Sequence, residues 1–170
     1  MNAIVPCAER IMRMASSREY PERPVVGIGG VIIDQGRALL IRRGSEPLLG
    51  EWSIPGGTLE LGESLQEGVA RELLEETGVK VRVLGLIEVF DRIYLGDGSS
   101  RVEVQGKPRF HFVIADYLCE RLSGEPRAGS DVTDVAFARE DELQRFHLTE
   151  TATRVLMKAF AMARARQVAK

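Results

Sequence analysis

The sequence predicts an α/β sandwich, a mixed β-sheet lying between helices, with an acidic helix face at one end. Three observations point there. Strand-like runs and helix-like runs interleave along the chain, which argues against an all-helical or all-β fold. One internal segment, around residues 64–78, carries both a start and a stop signal for a helix. The chain has 170 residues, 44% of them hydrophobic, enough for one domain with a sizeable core.

Residues 1–24 are set apart as an N-terminal arm, and residues 25–170 are expected to form a single domain. Within the arm, Cys7 to Met14 is compatible with a short helix that has Ile11 and Met14 on one side. The run Tyr20-Pro21-Glu22-Arg23-Pro24 then interrupts regular structure, because proline restricts itself and the residue before it. An arm packed on a partner subunit, giving a homodimer, and a loosely packed terminus are both open.

Val25 to Ile33 reads as a strand, rich in β-branched residues. Asp34-Gln35-Gly36 is a turn signal, and Ala38 to Arg42 returns as the second strand of a hairpin. Gly44 to Gly50 is a loop, and Glu51 to Pro55 leads to Gly56-Gly57. Trp52 is either core or pocket wall.

The next segment is a helix. Ser64 is a good N-cap, Glu67 completes a capping box, and Gly78 suits the left-handed stop. Leu65, Val69, Leu73 and Leu74 recur at helical spacing and are expected to face the core. Val79 to Tyr94 is β-rich, long or bent, with a break at Gly85. Leu95 to Pro108 is a polar hairpin excursion, with a turn over residues 96–100. Phe110 to Cys119 is a strand, Leu122 to Gly129 a turn-rich connection, and Val135-Ala136-Phe137 a short strand. Glu140 to Phe146 suits a helical turn. A final helix, capped by Thr149 or Thr151, would bury Val155, Leu156, Ala159, Phe160 and Met162. Its basic tail reads as a solvated helix end.

Charge and cysteine content exclude several classes. The 23 Lys and Arg against 25 Asp and Glu leave a net charge of −2, which gives no support to nucleic-acid binding. Cys7 and Cys119 lack metal-ligand spacing, and Cys119 ends an apolar run as a small buried hydrophobe would. The absence of a disulfide framework fits a reducing, cytoplasmic setting. No apolar run reaches the ~18–20 residues that span a bilayer, and the N-terminus shows no charged-then-apolar signal pattern.

Glu72, Glu75 and Glu76 stand at i, i+3 and i+4, close together on one helical face. Like charges at that spacing repel, and Arg71 is the one cation nearby, within reach of Glu75 and Glu63. A solvated acidic face is the plain reading of three glutamates alone. A hard divalent cation, Mg²⁺ or Mn²⁺, would stabilise them further, since it takes carboxylate oxygens.

The wider pattern decides between these. It runs Gly57, five residues, Glu63, seven residues, Arg71-Glu72-Leu73, one residue, Glu75-Glu76, one residue, Gly78-Val79. A chance match at a given start is on the order of one in a billion. The stretch resembles the Nudix box at every specified position, and the resemblance extends from about Val25 to Leu143. It implies the Nudix α/β/α sandwich and metal-dependent hydrolysis of a diphosphate linkage. Glu72, Glu75 and Glu76 would hold the metal, joined by the backbone carbonyl of Gly56. Gly57, Glu63, Arg71 and Gly78 would be structural, with Glu63 orienting the helix and Arg71 through an ion pair. In the family a base comes from the box or from a later loop, so Glu72, Glu75 and Asp131 are the candidates. Asp131 and Phe137 stand where relatives more often have Glu and Trp, and Glu120 or Glu125 are alternatives to Asp131. Arg42, Arg92, Arg109 and His111 are candidates for the substrate pocket.

The resembled members act on nucleoside diphosphates linked to another moiety, such as ADP-ribose. The implied partner is therefore a nucleotide-type small molecule. A nucleoside triphosphate pyrophosphohydrolase is the alternative. A non-catalytic nucleotide sensor of the same fold is a third reading, which an eroded box would favour.

Overall fold

The computed structural model describes residues 18–95, 108–129 and 131–168. The expected helix over Cys7–Met14 lies outside them, as does the turn at residues 96–100. The chain divides into two compact units. One groups the N-terminal residues to Val25 with Asp91–Val113, and the other comprises Val26–Phe90 and Ile114–Lys170.

In the smaller unit the Tyr20 amide donates to the Arg109 carbonyl at 2.7 Å, and Arg109 pairs with Glu19 at 2.6 Å. Phe110 stacks on Phe112 and meets Tyr94 edge-on.

Among the described residues, the larger unit carries most of a mixed seven-stranded sheet built from β1 (Val25–Asp34), β2 (Arg37–Arg43), β3 (Trp52–Ser53), β4 (Gly56–Thr58), β5 (Lys80–Tyr94), β6 (Phe110–Ser123) and β7 (Val132–Arg139). Its order is β3-β2-β1-β6-β5, with β4 on β1 and β7 on β2. Strands β1 (Val25–Asp34) and β2 (Arg37–Arg43) form the expected hairpin. Its turn residues Gln35 and Gly36 both have positive φ, 49° and 73°, the backbone that matches the twist of the two strands. Strand β3 (Trp52–Ser53) pairs with β2, and β4 (Gly56–Thr58) pairs with β1 through Gly29↔Gly56 and Ile28↔Gly57.

Helix α1 (Leu65–Thr77) begins at a Ser64 N-cap with a complete capping box and stops at Gly78, φ 70°. Its buried stripe is Val69 and Leu73 with Leu65 alongside, but Leu74 is 43% exposed. The four-residue spacing of 65, 69 and 73 sets the stripe, and Leu74 lies about 100° round from Leu73.

Strand β5 (Lys80–Tyr94) is continuous, so no break occurs at Gly85. Leu84 and Ile87 pack on the same core cluster despite their opposite parity along the strand, while Val81 and Val83 pack on the other. The strand therefore changes face near Gly85 without stopping, which is the bend the glycine signals.

Strand β6 covers Phe110–Ser123 and β7 covers Val132–Arg139. Strand β7 is longer than the three residues expected because it pairs with β2 from Arg37 to Arg43. A 3₁₀ turn (Glu140–Phe146) leads to helix α2 (Glu150–Val168). Thr149 caps α2, its Oγ1 accepting from the Ala152 amide at 3.2 Å.

Strand alternation sorts the core into two layers. Val31, Leu40 and Leu118 pack with Val155, Leu156, Ala159 and Phe160 of α2, and Met162 lies half-buried at the margin. Ile32, Leu39, Tyr117 and Cys119 pack with Val69 and Leu73 of α1. Adjacent residues thus feed opposite faces, which makes the sandwich. Trp52 belongs to the first layer, edge-on to Phe146 at 5.2 Å. Cys119 is buried, and burial pushes its thiol up to about 12, so it has no nucleophilic character near neutral pH. Among the described residues, no helix is long and apolar enough to cross a membrane.

Candidate active site

The box residues meet where α1 passes over β4. Arg71 is the hub. Its Nε lies 2.6 Å from Glu63 Oε1, and its Nη2 donates to Glu63 Oε2 at 2.9 Å and to the Thr58 carbonyl at 3.1 Å. Its Nη1 lies 3.0 Å from Glu72 Oε1 and 3.3 Å from Glu75 Oε2. The Glu63 carboxylate reaches back to the Glu60 amide, and the Arg71 hydrogen bond holds it below the usual carboxylate range. The same pairing pushes the Arg71 guanidinium up from an already high value.

The three helix glutamates occupy a gradient of depth. Glu75 is exposed, Glu72 is half-buried, and Glu76 is only 5% exposed. Glu72 Oε1 accepts from the Thr58 amide at 3.1 Å, and Glu76 Oε2 accepts from the Gly56 amide at 2.7 Å. Glu76 follows Leu73 along the buried stripe, which takes its carboxylate under the β4 turn.

Burial pushes the Glu76 carboxyl up to about 8. The Gly56 amide opposes that rise, the charges of Glu72 and Asp131 add to it, and Arg43 opposes it. Asp131 thus acts on the same group as the box glutamates. It is brought there by the connection between β6 and β7, which runs along the end of α1. The Arg127 amide donates to the Thr77 carbonyl and the Gly129 amide to the Glu76 carbonyl, each at 3.0 Å, filling acceptors that a helix end leaves open.

The alternative acids lie in other pairs. Glu120 is bonded to Arg82, and Glu125 to Arg121. Arg42 is exposed, its Nε donating to the Gly50 carbonyl at 2.9 Å. Its neighbour Arg43, which sequence reasoning missed, carries the charge that Glu76 feels. The Arg43 Nε is buried and makes no hydrogen bond among the described residues. The paired Arg42-Arg43 at a strand end was the signal, since alternation sends only one of them inward. Arg92, Arg109 and His111 belong to the smaller unit, where Arg92 lies 5.9 Å over the Tyr94 ring and Arg109 5.1 Å over Phe110.

The donor set fits a hard divalent cation. It is all oxygen, and it includes a buried carboxylate on which the negative charges of Glu72 and Asp131 act against the one positive charge of Arg43. Among the described residues, no three acidic, imidazole or thiol groups are gathered tightly enough to form a ready-made ion cage. Glu72 and Glu75 instead share Arg71, so an ion and Arg71 address the same carboxylates.

Comparison with known proteins bears on this arrangement. The NUDIX domain model matches residues 21–160. An ADP-ribose pyrophosphatase of Methanocaldococcus jannaschii is 32% identical over 67% of this chain and 61% of its own length. A MutT-like protein of Streptomyces ambofaciens is 32% identical over 86% of this chain and 85% of its own length. The crystal structure of a MutT NUDIX hydrolase from Burkholderia pseudomallei superposes with a TM-score of 0.67 at 32% identity, covering 81% of this chain and 98% of that one. The sandwich, the acidic helix under its glycine turn and a family model reaching across both units lead to one assignment: the chain belongs to the Nudix hydrolase family.

Proposed function

We propose that this chain hydrolyses the diphosphate linkage of a nucleoside diphosphate joined to a second moiety, ADP-ribose or a close analogue, with Mg²⁺ or Mn²⁺. One observation carries the reading: the buried Glu76 carboxylate under the Gly56 turn, with Glu72 and Asp131 acting on it. The relative named ADP-ribose pyrophosphatase, at 32% identity, supports the substrate class.

Glu72, Glu75, Glu76 and the Gly56 carbonyl would hold the cation. Bound there, it supplies Lewis acidity and neutralises charge on the diphosphate oxygens. Water adds to one phosphorus, the bridging P–O bond breaks, and two phosphomonoesters leave. The water's proton passes to a carboxylate, for which Glu72, Glu75 and Asp131 are the candidates. Arg71 and Glu63 fix the helix beneath Thr58, which keeps the acidic face aligned with the glycine turn. The reading includes a cytoplasmic setting and a homodimer, the latter checked by sedimentation.

The test is an assay of purified protein with Mg²⁺ against ADP-ribose, deoxynucleoside triphosphates, dinucleoside polyphosphates and NADH. Turnover of ADP-ribose, lost in EDTA and in the Glu75→Gln, Glu76→Gln double variant, is expected. Turnover confined to triphosphates would replace the substrate class. Unchanged turnover in the double variant would remove the metal role.

A further inference from the structure

The geometry points to Ser45 as a positioning residue that sets the orientation of the Asp131 carboxylate. This rests on reading Asp131 as the loop acid of the hydrolysis proposed above. Ser45 Oγ donates to Asp131 Oδ2 at 2.7 Å across 86 residues of sequence. That bond occupies one carboxylate oxygen and leaves Oδ1 to face other partners. An exposed aspartate held only by its own backbone samples several rotamers, and one hydroxyl bond to a fixed loop selects among them.

The backbone beneath this contact is built to bring the two loops together. The Gly44 amide donates to the Asp131 carbonyl at 2.6 Å. A Cβ on Gly44 would collide with that same carbonyl oxygen, so no other residue type permits the approach without a shift. One residue further along, the β2–β7 ladder slips, with Arg42 opposite Asp134 and Arg43 opposite Val132. Thr133 is therefore an extra residue in β7, a bulge of the kind that re-aims neighbouring side chains. Its Oγ1 donates to the Arg42 carbonyl at 3.2 Å, tying the bulge to β2. Gly44 and Ser45 thus hold Asp131 by its carbonyl and its carboxylate, while Thr133 ties the neighbouring bulge to β2. The segment that supplies two of these contacts also continues from Arg43, whose charge acts on Glu76.

Residues that orient a functional carboxylate typically contribute about 10–100-fold to activity. The experiment compares Ser45→Ala, Ser45→Thr and Asp131→Asn with the wild type, using ADP-ribose and Mg²⁺. A second readout is the Asp131 carboxyl ¹³C resonance in metal-free protein. Ser45→Ala is expected to lower kcat about 10–100-fold, with KM within about twofold and Tm nearly unchanged. Its Asp131 resonance should shift, and Ser45→Thr should restore both kcat and resonance. If Asp131→Asn collapses kcat while Ser45→Ala leaves it intact, the positioning role is overturned and the role of Asp131 survives. If Asp131→Asn is silent, both are overturned. A loss in Ser45→Ala that follows Tm and is not rescued by threonine also overturns it, as a purely structural effect. If the wild type does not turn over ADP-ribose, the proposed function fails, and the carboxyl resonance still decides whether Ser45 orients Asp131.

Discussion

Glu76 Oε2 accepts a 2.7 Å hydrogen bond from the Gly56 amide while its residue is only 5% exposed. One amide does not offset the loss of water around a carboxylate, and the carboxyl is pushed up to about 8, by burial first. The sign of the consequence follows from proton linkage. Between the unfolded value near 4.3 and about 8, the folded metal-free protein holds a proton that the unfolded chain releases. Stability therefore falls as pH rises through that window, and is unaffected below it. In EDTA-treated protein, Glu76→Gln is expected to raise Tm above wild type at pH 8, by an amount that shrinks toward zero near pH 4.5. The gain is of order 2–4 kcal/mol. Thermal melts at several pH values check it, and a constant offset would show that burial of this charge is not the cause.

Arg71 makes contacts to Glu63, Thr58, Glu72 and Glu75 from one guanidinium. Its truncation leaves several half-buried oxygens without their shared donor. Arg71→Ala is expected to destabilise by about 2–3 kcal/mol, read as a lower urea midpoint at unchanged slope. Arg71→Lys should recover only part of this, since an ammonium group cannot span both Glu63 oxygens as the planar fork does. Full recovery by lysine would reduce the hub to a point charge.

Glu88 offers an acid-side counterpart away from the site. Lys158 Nζ lies 2.9 Å from its Oε2 and Arg154 Nη2 lies 3.2 Å from its Oε1. The Lys158 hydrogen bond first, then that of Arg154, hold the carboxyl below the usual range. Its contribution is present above the unfolded carboxylate value and is lost as pH falls through the lower folded one. Glu88→Gln should lower Tm by about 1–3 °C at pH 7, a difference that closes in acid as the carboxyl takes up its proton. A difference that persists in acid would assign the effect to packing.

What the sequence revealed, and what it did not, divides along the range of the interactions. Helix α1 was legible to the residue because Ser64, Glu67 and Gly78 act within one turn of its ends. The hairpin turn at Gln35-Gly36 was legible for the same reason. The extent of β7 was not, since its length comes from pairing with β2 nearly a hundred residues earlier. Strand alternation already separates Arg42 from Arg43, but no local pattern registers the slip at Thr133 opposite them. The contact of Ser45 with Asp131 spans 86 residues and leaves no local trace. Leu74 misled because four apolar residues were read as one stripe, where the helical angle admits only three.

Gly56 and Gly57 separate folding from chemistry in adjacent positions. A Cβ on Gly56 would strike the carbonyl oxygen of Ile28 and lie 2.6 Å from the Gly29 Cα, both backbone atoms of the strand it pairs with. Its φ of 155° also disfavours any side chain. Gly56→Ala is therefore expected to unfold the β1–β4 contact, at about 3 kcal/mol or more. The atoms nearest to a Cβ on Gly57 all belong to the Glu72 carboxylate, the far end of a flexible side chain. Glu72 can swing away at little cost to the fold, but it then leaves Thr58 and the acidic face. Gly57→Ala should melt within about 2–4 °C of wild type yet lose about 100-fold or more in turnover. Isothermal titration with Mn²⁺ should show weakened binding in the same variant. If Gly57→Ala keeps both binding and turnover, Glu72 is not held where the chemistry needs it, and the metal set reduces to Glu75, Glu76 and the Gly56 carbonyl.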